Sequence, residues 1–366
     1  MNPELIPSPD MLGIPAKPLP VLVLMNVTLA AHWIFIGGAF GATCIVLLNT
    51  LRRTHQDAAA KINHTILIFL PFTLSMGVTL GIAPLLFVQI LYGNFFYSAN
   101  VLIAMWWLLI IPLVIGNMYL FYVAKNHLQA RERLGPALPA IMVAVFVVVA
   151  STLVSNATLI QTPQAWESVW RFHGAALFFG DAVVPRLLFA LFGLLTVGAM
   201  FVAWMGKTGL ISDEEAAGHA VGVGLQTALA SALLQVVAGG GWIVSLPADQ
   251  RRTLLGGGPI TLFAAGATTA MIVTAVLLFA ARNSHSRAAM SAGTILYSFA
   301  LVAIAFARDG LRQATLAPYF KLSDVAVNPQ WGPFVLFLVF LAIACGAVMA
   351  LVRLARPARI KHDSNS

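Results

Sequence analysis

Charge is what this chain has least of. Only 9% of its 366 residues are Asp, Glu, Lys or Arg, where a soluble domain carries roughly 25% because its surface must face water. With 60% hydrophobic residues and a mean hydropathy of +0.88, most of the outer surface has to face lipid. The apolar runs are spread too evenly to leave room for an aqueous domain between them. Cysteine is scarce too. Cys44 and Cys345 both lie inside apolar runs and are expected as buried free thiols. No Cys-x-x-Cys-His occurs, which excludes a covalently attached c-type haem. There is no Gly-x-x-x-x-Gly-Lys-Ser/Thr and no His-Glu-x-x-His, so neither a phosphate-cradling loop nor a zinc-peptidase helix is present. No Asp or Glu falls at the centre of an apolar run, so a proton path of intramembrane carboxylates is not visible. Residues 1–19 are polar and Pro-rich, unlike a cleavable signal peptide. No internal repeat or low-complexity segment occurs.

What the chain does have is long apolar runs. A helix needs about 20 apolar residues to cross the hydrocarbon core, and about nine such runs follow one another: 20–49, 65–92, 99–123, 137–160, 182–205, 217–245, 259–281, 288–307 and 331–354. The expected fold is all-α, a single polytopic transmembrane bundle over 20–354. An extracytoplasmic tail, 1–19, and a cytoplasmic tail, 355–366, flank it. The formal charge is +8, but the basic residues sit between apolar runs, where they orient helices rather than bind nucleic acid. With the N-terminus outside, the inner connections hold Arg52, Arg53, Lys61, Lys125, Arg131, Arg133, Lys207, Arg282, Arg287, Arg353, Arg356, Arg359 and Lys361. The outer ones hold the rest of the 21 basic residues: Lys17, Arg171, Arg186, Arg251, Arg252, Arg308, Arg312 and Lys321. That bias predicts N-out and C-in, although the outer side is richer in arginine than orientation alone requires.

Candidate functional groups are few. His32 lies midway along the first run and is followed by Gly37-Gly38-Ala39-Phe40-Gly41, small residues that let another helix or a flat macrocycle approach the backbone. A neutral imidazole there can ligate haem iron, or simply hydrogen-bond to a neighbouring helix. Gln89, Asn117, Asn156, Gln226 and Gln235 suit hydrogen bonding between helices. His55, His64, His127, His219, His285 and His362 fall near the inner surface, where solvation is the simple account, and His173 falls outside. Residues 161–181 carry Trp166, Trp170, His173 and Asp181, with an amphipathic look over 165–180. Arg308, Asp309 and Arg312 begin where the eighth run ends. Such a cluster suits an anionic or quinone-like headgroup; the alternative is an interfacial helix whose arginines reach lipid phosphates.

These features together resemble subunit I of the cytochrome bd quinol oxidases and the bd-like membrane proteins related to it. The resemblance spans most of the chain. It rests on His32 with the aromatic and Gly-rich run behind it, and on Gly77-Val78-Thr79-Leu80-Gly81 with Phe87, Gln89 and Gly93. It also rests on Leu153-Val154-Ser155-Asn156 with Gln161 and Pro163, and on Asp309-Gly310-Leu311-Arg312-Gln313. The likeness implies a b-type haem with His32 as its metal ligand, and a quinone site near the outer face. Asp309 and Arg312 would act on the quinol, with Arg308 and Gln313 beside it. Met105 is the candidate for the second axial haem ligand. The implied partners are a quinone or quinol, other electron-transfer subunits such as a c-type cytochrome, and the bilayer of a bacterial cytoplasmic membrane. The family pattern is incomplete, however. Pro185–Ala190 offers no histidine, 259–275 holds no Arg-x-Met, Met105 and Leu113 stand near the places of two glutamates, and the connection after the sixth run is short. Terminal oxidase activity is therefore not implied. The expected function is electron exchange between a quinol and a haem or partner cytochrome. The rivals are a haem-free, NrfD-like quinone-interacting subunit and a transporter, the latter opposed by the lack of an inverted repeat.

Overall fold

The computed structural model describes residues 13–52, 56–129, 135–284 and 286–354. Arg53, His55, Arg131, Arg133, His285, Arg356, Arg359, Lys361 and His362, together with the whole tail 355–366, lie outside the described residues. Within lipid a backbone must satisfy its own hydrogen bonds, which leaves the helix as the natural solution for apolar runs. Eleven α-helices form among the described residues: α1 (Pro18–Leu51), α2 (Gln56–Leu102), α3 (Ala104–Gln129), α4 (Ala137–Leu159), α5 (Trp166–Trp170), α6 (Val183–Lys207), α7 (Glu214–Ser245), α8 (Ala248–Leu255), α9 (Pro259–Ser284), α10 (Arg287–Leu316) and α11 (Trp331–Leu354). Eight of them are long and apolar enough to cross a membrane. The expected ninth run is present as α11, but its described apolar stretch, Trp331–Ala347, is shorter than in the other eight. It sits at the rim, touching α2 through Phe87 and Phe337.

Close backbone approach holds the centre together. A Cβ on Gly198 of α6 would lie 2.4 Å from the Gly37 carbonyl oxygen and 2.4 Å from Gly41 Cα. Gly224 of α7 is pressed in the same way against Ala199 and Ala203. The small-residue run after His32 is thus occupied by another helix, α6, rather than left open for a macrocycle. Buried polar groups bridge the helices. Asn49 donates to Asn63 at 2.9 Å, Asn156 to Asn100 at 2.6 Å, and the Tyr297 hydroxyl to Gln235. Gln89 accepts only from Tyr97 of its own α2, and Asn117 Oδ1 has no partner. At the end of the bundle where α7 begins, Lys61 pairs with Asp213. Asp213 also caps α7 by accepting from the Ala216 N–H at 2.9 Å. The lysine and this cap hold the Asp213 carboxyl below its ordinary value.

Several expectations are corrected. Cys345 is exposed and Cys44 half-buried, because an apolar run in lipid needs no protein cover. The segment 165–180 is no continuous amphipathic helix. Only α5 is helical, and the chain then turns through His173 and Gly174, both at positive φ. The described residues before α1 meet the segment before α11, where Ile14 bonds Ala326 and Asn328 through its backbone. Finally, α10 does not stop at 307 but continues to Leu316, which carries the arginine cluster into the protein.

Candidate functional site

Helix α2 runs far beyond the length needed to cross a bilayer, and it breaks at Tyr92, whose φ and ψ are −133° and 30°. The sequence run expected to end at residue 92 bends here and continues as α2 to Leu102. The bend turns the Tyr92 side chain, 1% exposed, into the bundle towards α10. Its hydroxyl donates to Asp309 Oδ1 at 3.2 Å. Gln313, one turn on along α10, donates to Asp309 Oδ2 at 2.9 Å. Arg312, three residues from Asp309, brings Nη1 to 3.5 Å of Oδ1. That distance makes an ion pair but not a hydrogen bond, and both Nε and Nη1 of Arg312 are buried without a hydrogen-bond partner among the described residues. The Arg312 guanidinium instead lies over the Tyr92 ring, 4.9 Å from its centroid.

Asp309 and Arg312 are each 2% exposed, so the account of these arginines as surface anchors on lipid phosphate does not hold for Arg312. A second buried arginine joins them. Arg186 of α6, 8% exposed, donates to Thr158 Oγ1 of α4 at 3.1 Å and lies 5.6 Å from the Trp242 ring of α7. No carboxylate pairs with it among the described residues. Arg186 and Arg308 both lie within electrostatic reach of Arg312, and Arg308 is half-buried. Asp309 thus has Arg312 and Arg308 for neighbours, and Arg186 stands on the far side of Arg312. Burying a charge without a partner costs several kcal/mol, and among the described residues the guanidiniums at this end outnumber the carboxylates close to them.

His32 stands apart from that cluster. Its Nδ1 lies 2.7 Å from the Gly77 carbonyl oxygen, which can only accept, so Nδ1 carries the proton and Nε2 keeps its lone pair. The ring lies on Gly81, where a Cβ would sit 2.6 Å from Nδ1. The stretch from Gly81 to Tyr92 climbs roughly 16 Å along α2 at the usual rise per residue, which separates the two sites. Met105 is 58% exposed near the start of α3, where its backbone N–H bonds Gly174 in the turn before α6. That is beyond the Tyr92 end of α2, so Met105 is not brought to His32. For a b-type haem the described residues therefore offer one imidazole, that of half-buried His32, with its proton on Nδ1 and its lone pair on Nε2.

The structure brings Asp309, Arg312, Gln313 and Arg308 together and adds two residues that sequence reasoning missed. Tyr92 gave no signal beyond its place before Gly93 at a run's end. Arg186 counts among the outer basic residues in the sequence, which carries no sign of its burial.

No family model matches the chain, and no curated protein matches it. Among solved structures the fold has a clear counterpart. The bd oxidase from Geobacillus thermodenitrificans superposes with a TM-score of 0.72 over 93% of this chain and 98% of that one, at 14% identity. The chain therefore has the helical fold of a bd oxidase chain. At that identity the likeness speaks for architecture.

Proposed function

We propose that the protein is a membrane electron-transfer subunit of cytochrome bd type that takes electrons from a quinol at the Tyr92–Asp309–Arg312 cluster and passes them to a partner such as a c-type cytochrome. The observation that carries this reading is the buried Asp309–Arg312 pair, with two guanidinium nitrogens unsatisfied, in a bundle of bd-oxidase fold. Ionisable groups held inside a membrane protein are costly and usually functional. Oxidising a quinol releases two electrons, which go to the partner, and two protons, of which Asp309 takes the first and water at the outer face the second. Each Asp309 oxygen accepts one hydrogen bond, which leaves lone pairs free to take a proton from a quinol hydroxyl. The unpaired N–H groups of Arg312 then stabilise the charge left on the ring oxygen. Tyr92 and Gln313 hold the carboxylate in position throughout. When bound at His32, a b-type haem supplies a one-electron carrier. The protein on this reading lies in a bacterial cytoplasmic membrane, N-terminus out.

One observation favours the haem-free alternative, a quinone-interacting subunit. His32 already has a structural task, bonding Gly77 and packing on Gly81. A reduced-minus-oxidised visible spectrum of protein purified from haem-replete cells separates the two. The bd-type reading expects a b-type absorbance that His32→Ala abolishes while the bundle stays folded. A wild-type protein without that absorbance leaves the haem-free reading.

A further inference from the structure

At the opposite end of the bundle from the arginine cluster, a cleft of about 430 Å³ opens between the end of α1, the first turns of α7 and the end of α9. Arg52 and Arg282 reach it from α1 and α9, and Glu215 and His219 from α7. Glu215 and His219 each have partners of their own. Neither arginine pairs with a carboxylate among the described residues, and both are exposed at this end. Arg52, Arg282 and Glu215 give the lining two positive charges and one negative, a balance of one positive charge. The floor is helix backbone. Gly218 and Gly222 of α7 line the cleft, and a Cβ on either would meet nothing within 4 Å.

We propose that this cleft binds the phosphodiester of a membrane phospholipid. The phosphate would sit between Arg52 and Arg282, and the glycerol end would lie along the Gly218–Gly222 strip. A phosphodiester carries one negative charge, which the lining balances. Arginine is the side chain best shaped to hold phosphate oxygens through paired N–H donors. A basic pocket between helices at a membrane face is the usual setting for lipid headgroups. The bare strip is what selects a lipid over a free ion. It runs along α7 past Gln226, which also lines the cleft, to apolar side chains that face outward on the same helix, such as Leu233 and Val237. A lipid therefore has surface to lie on that inorganic phosphate does not use.

The test is native mass spectrometry of the full-length protein, delipidated in detergent and titrated with phosphatidylglycerol, alongside competition by inorganic phosphate. The wild type should retain one lipid that millimolar phosphate does not displace. Arg52→Gln with Arg282→Gln should weaken retention by roughly tenfold or more, the loss expected for a charge-assisted contact. Gly222→Leu fills open space, so it folds, and it should weaken lipid binding without touching either charge. Thermal unfolding of each variant confirms that it is folded. Displacement of the lipid by inorganic phosphate as readily as by lipid would show a free-anion site and overturn the proposal. So would equal lipid retention by the folded double variant, by Gly222→Leu, or an absence of retention in the wild type.

Discussion

The hydroxyl of Tyr92 donates to Asp309 Oδ1 at 3.2 Å across 217 positions of sequence. The same ring lies under the Arg312 guanidinium. One side chain at the kink of α2 thus fixes both members of the ion pair on α10. Tyr92→Phe keeps the ring and removes only the hydroxyl, so it should lower stability by about 1 kcal/mol, the scale of a single hydrogen bond. Tyr92→Leu, which also removes the face under Arg312, should cost measurably more. Thermal unfolding in one detergent gives both values, and equal losses would contradict the double role.

Gly198→Leu tests the close seam between α1 and α6. Its Cβ would fall 2.4 Å from backbone atoms of α1, and backbone cannot step aside as a flexible side chain can. Overpacking of this kind costs roughly 1–3 kcal/mol or more. The variant should give less monodisperse protein and a lower unfolding temperature, whereas Gly222→Leu, facing open space, should leave both unchanged.

How much of this was legible beforehand varies with distance along the chain. The apolar runs marked the helices because lipid imposes one simple rule on backbone polarity. The run expected to end at residue 92 instead continues as α2 to Leu102, bent at Tyr92. The grouping of Asp309, Arg312 and Gln313 was also readable, since residues three and four apart share a helix face. Their burial was not readable. It depends on α10 continuing to Leu316 and on Tyr92 and Arg186 arriving from helices far away in sequence. The glycines after His32 announced a close approach but not its partner, because a small residue states only that room exists. Met105 is a competent haem ligand by its thioether alone, and no local pattern fixes which end of the bundle it reaches.

Burial of Arg186 and Arg312 bears on orientation. In the sequence both count among the outer basic residues, yet they are buried, so N-out rests on the remaining connections. A reporter that fluoresces only in the cytoplasm, fused after Ser366, should light up. Signal from a periplasm-specific reporter at the same point would reverse the proposed orientation.

The central claim is that the Asp309–Arg312 pair works on a quinol rather than merely holding α10 in place. Its most direct test is the rate of quinol-dependent electron transfer in membranes that contain the native partners, compared among wild type, Arg312→Leu and Asp309→Asn at matched amounts of folded protein. Loss of a group that takes a proton or stabilises the developing charge should slow transfer by roughly 10²-fold or more. A purely structural pair would lower thermal stability and leave turnover per folded molecule unchanged. Wild-type turnover in a well-folded Arg312→Leu protein would contradict the account.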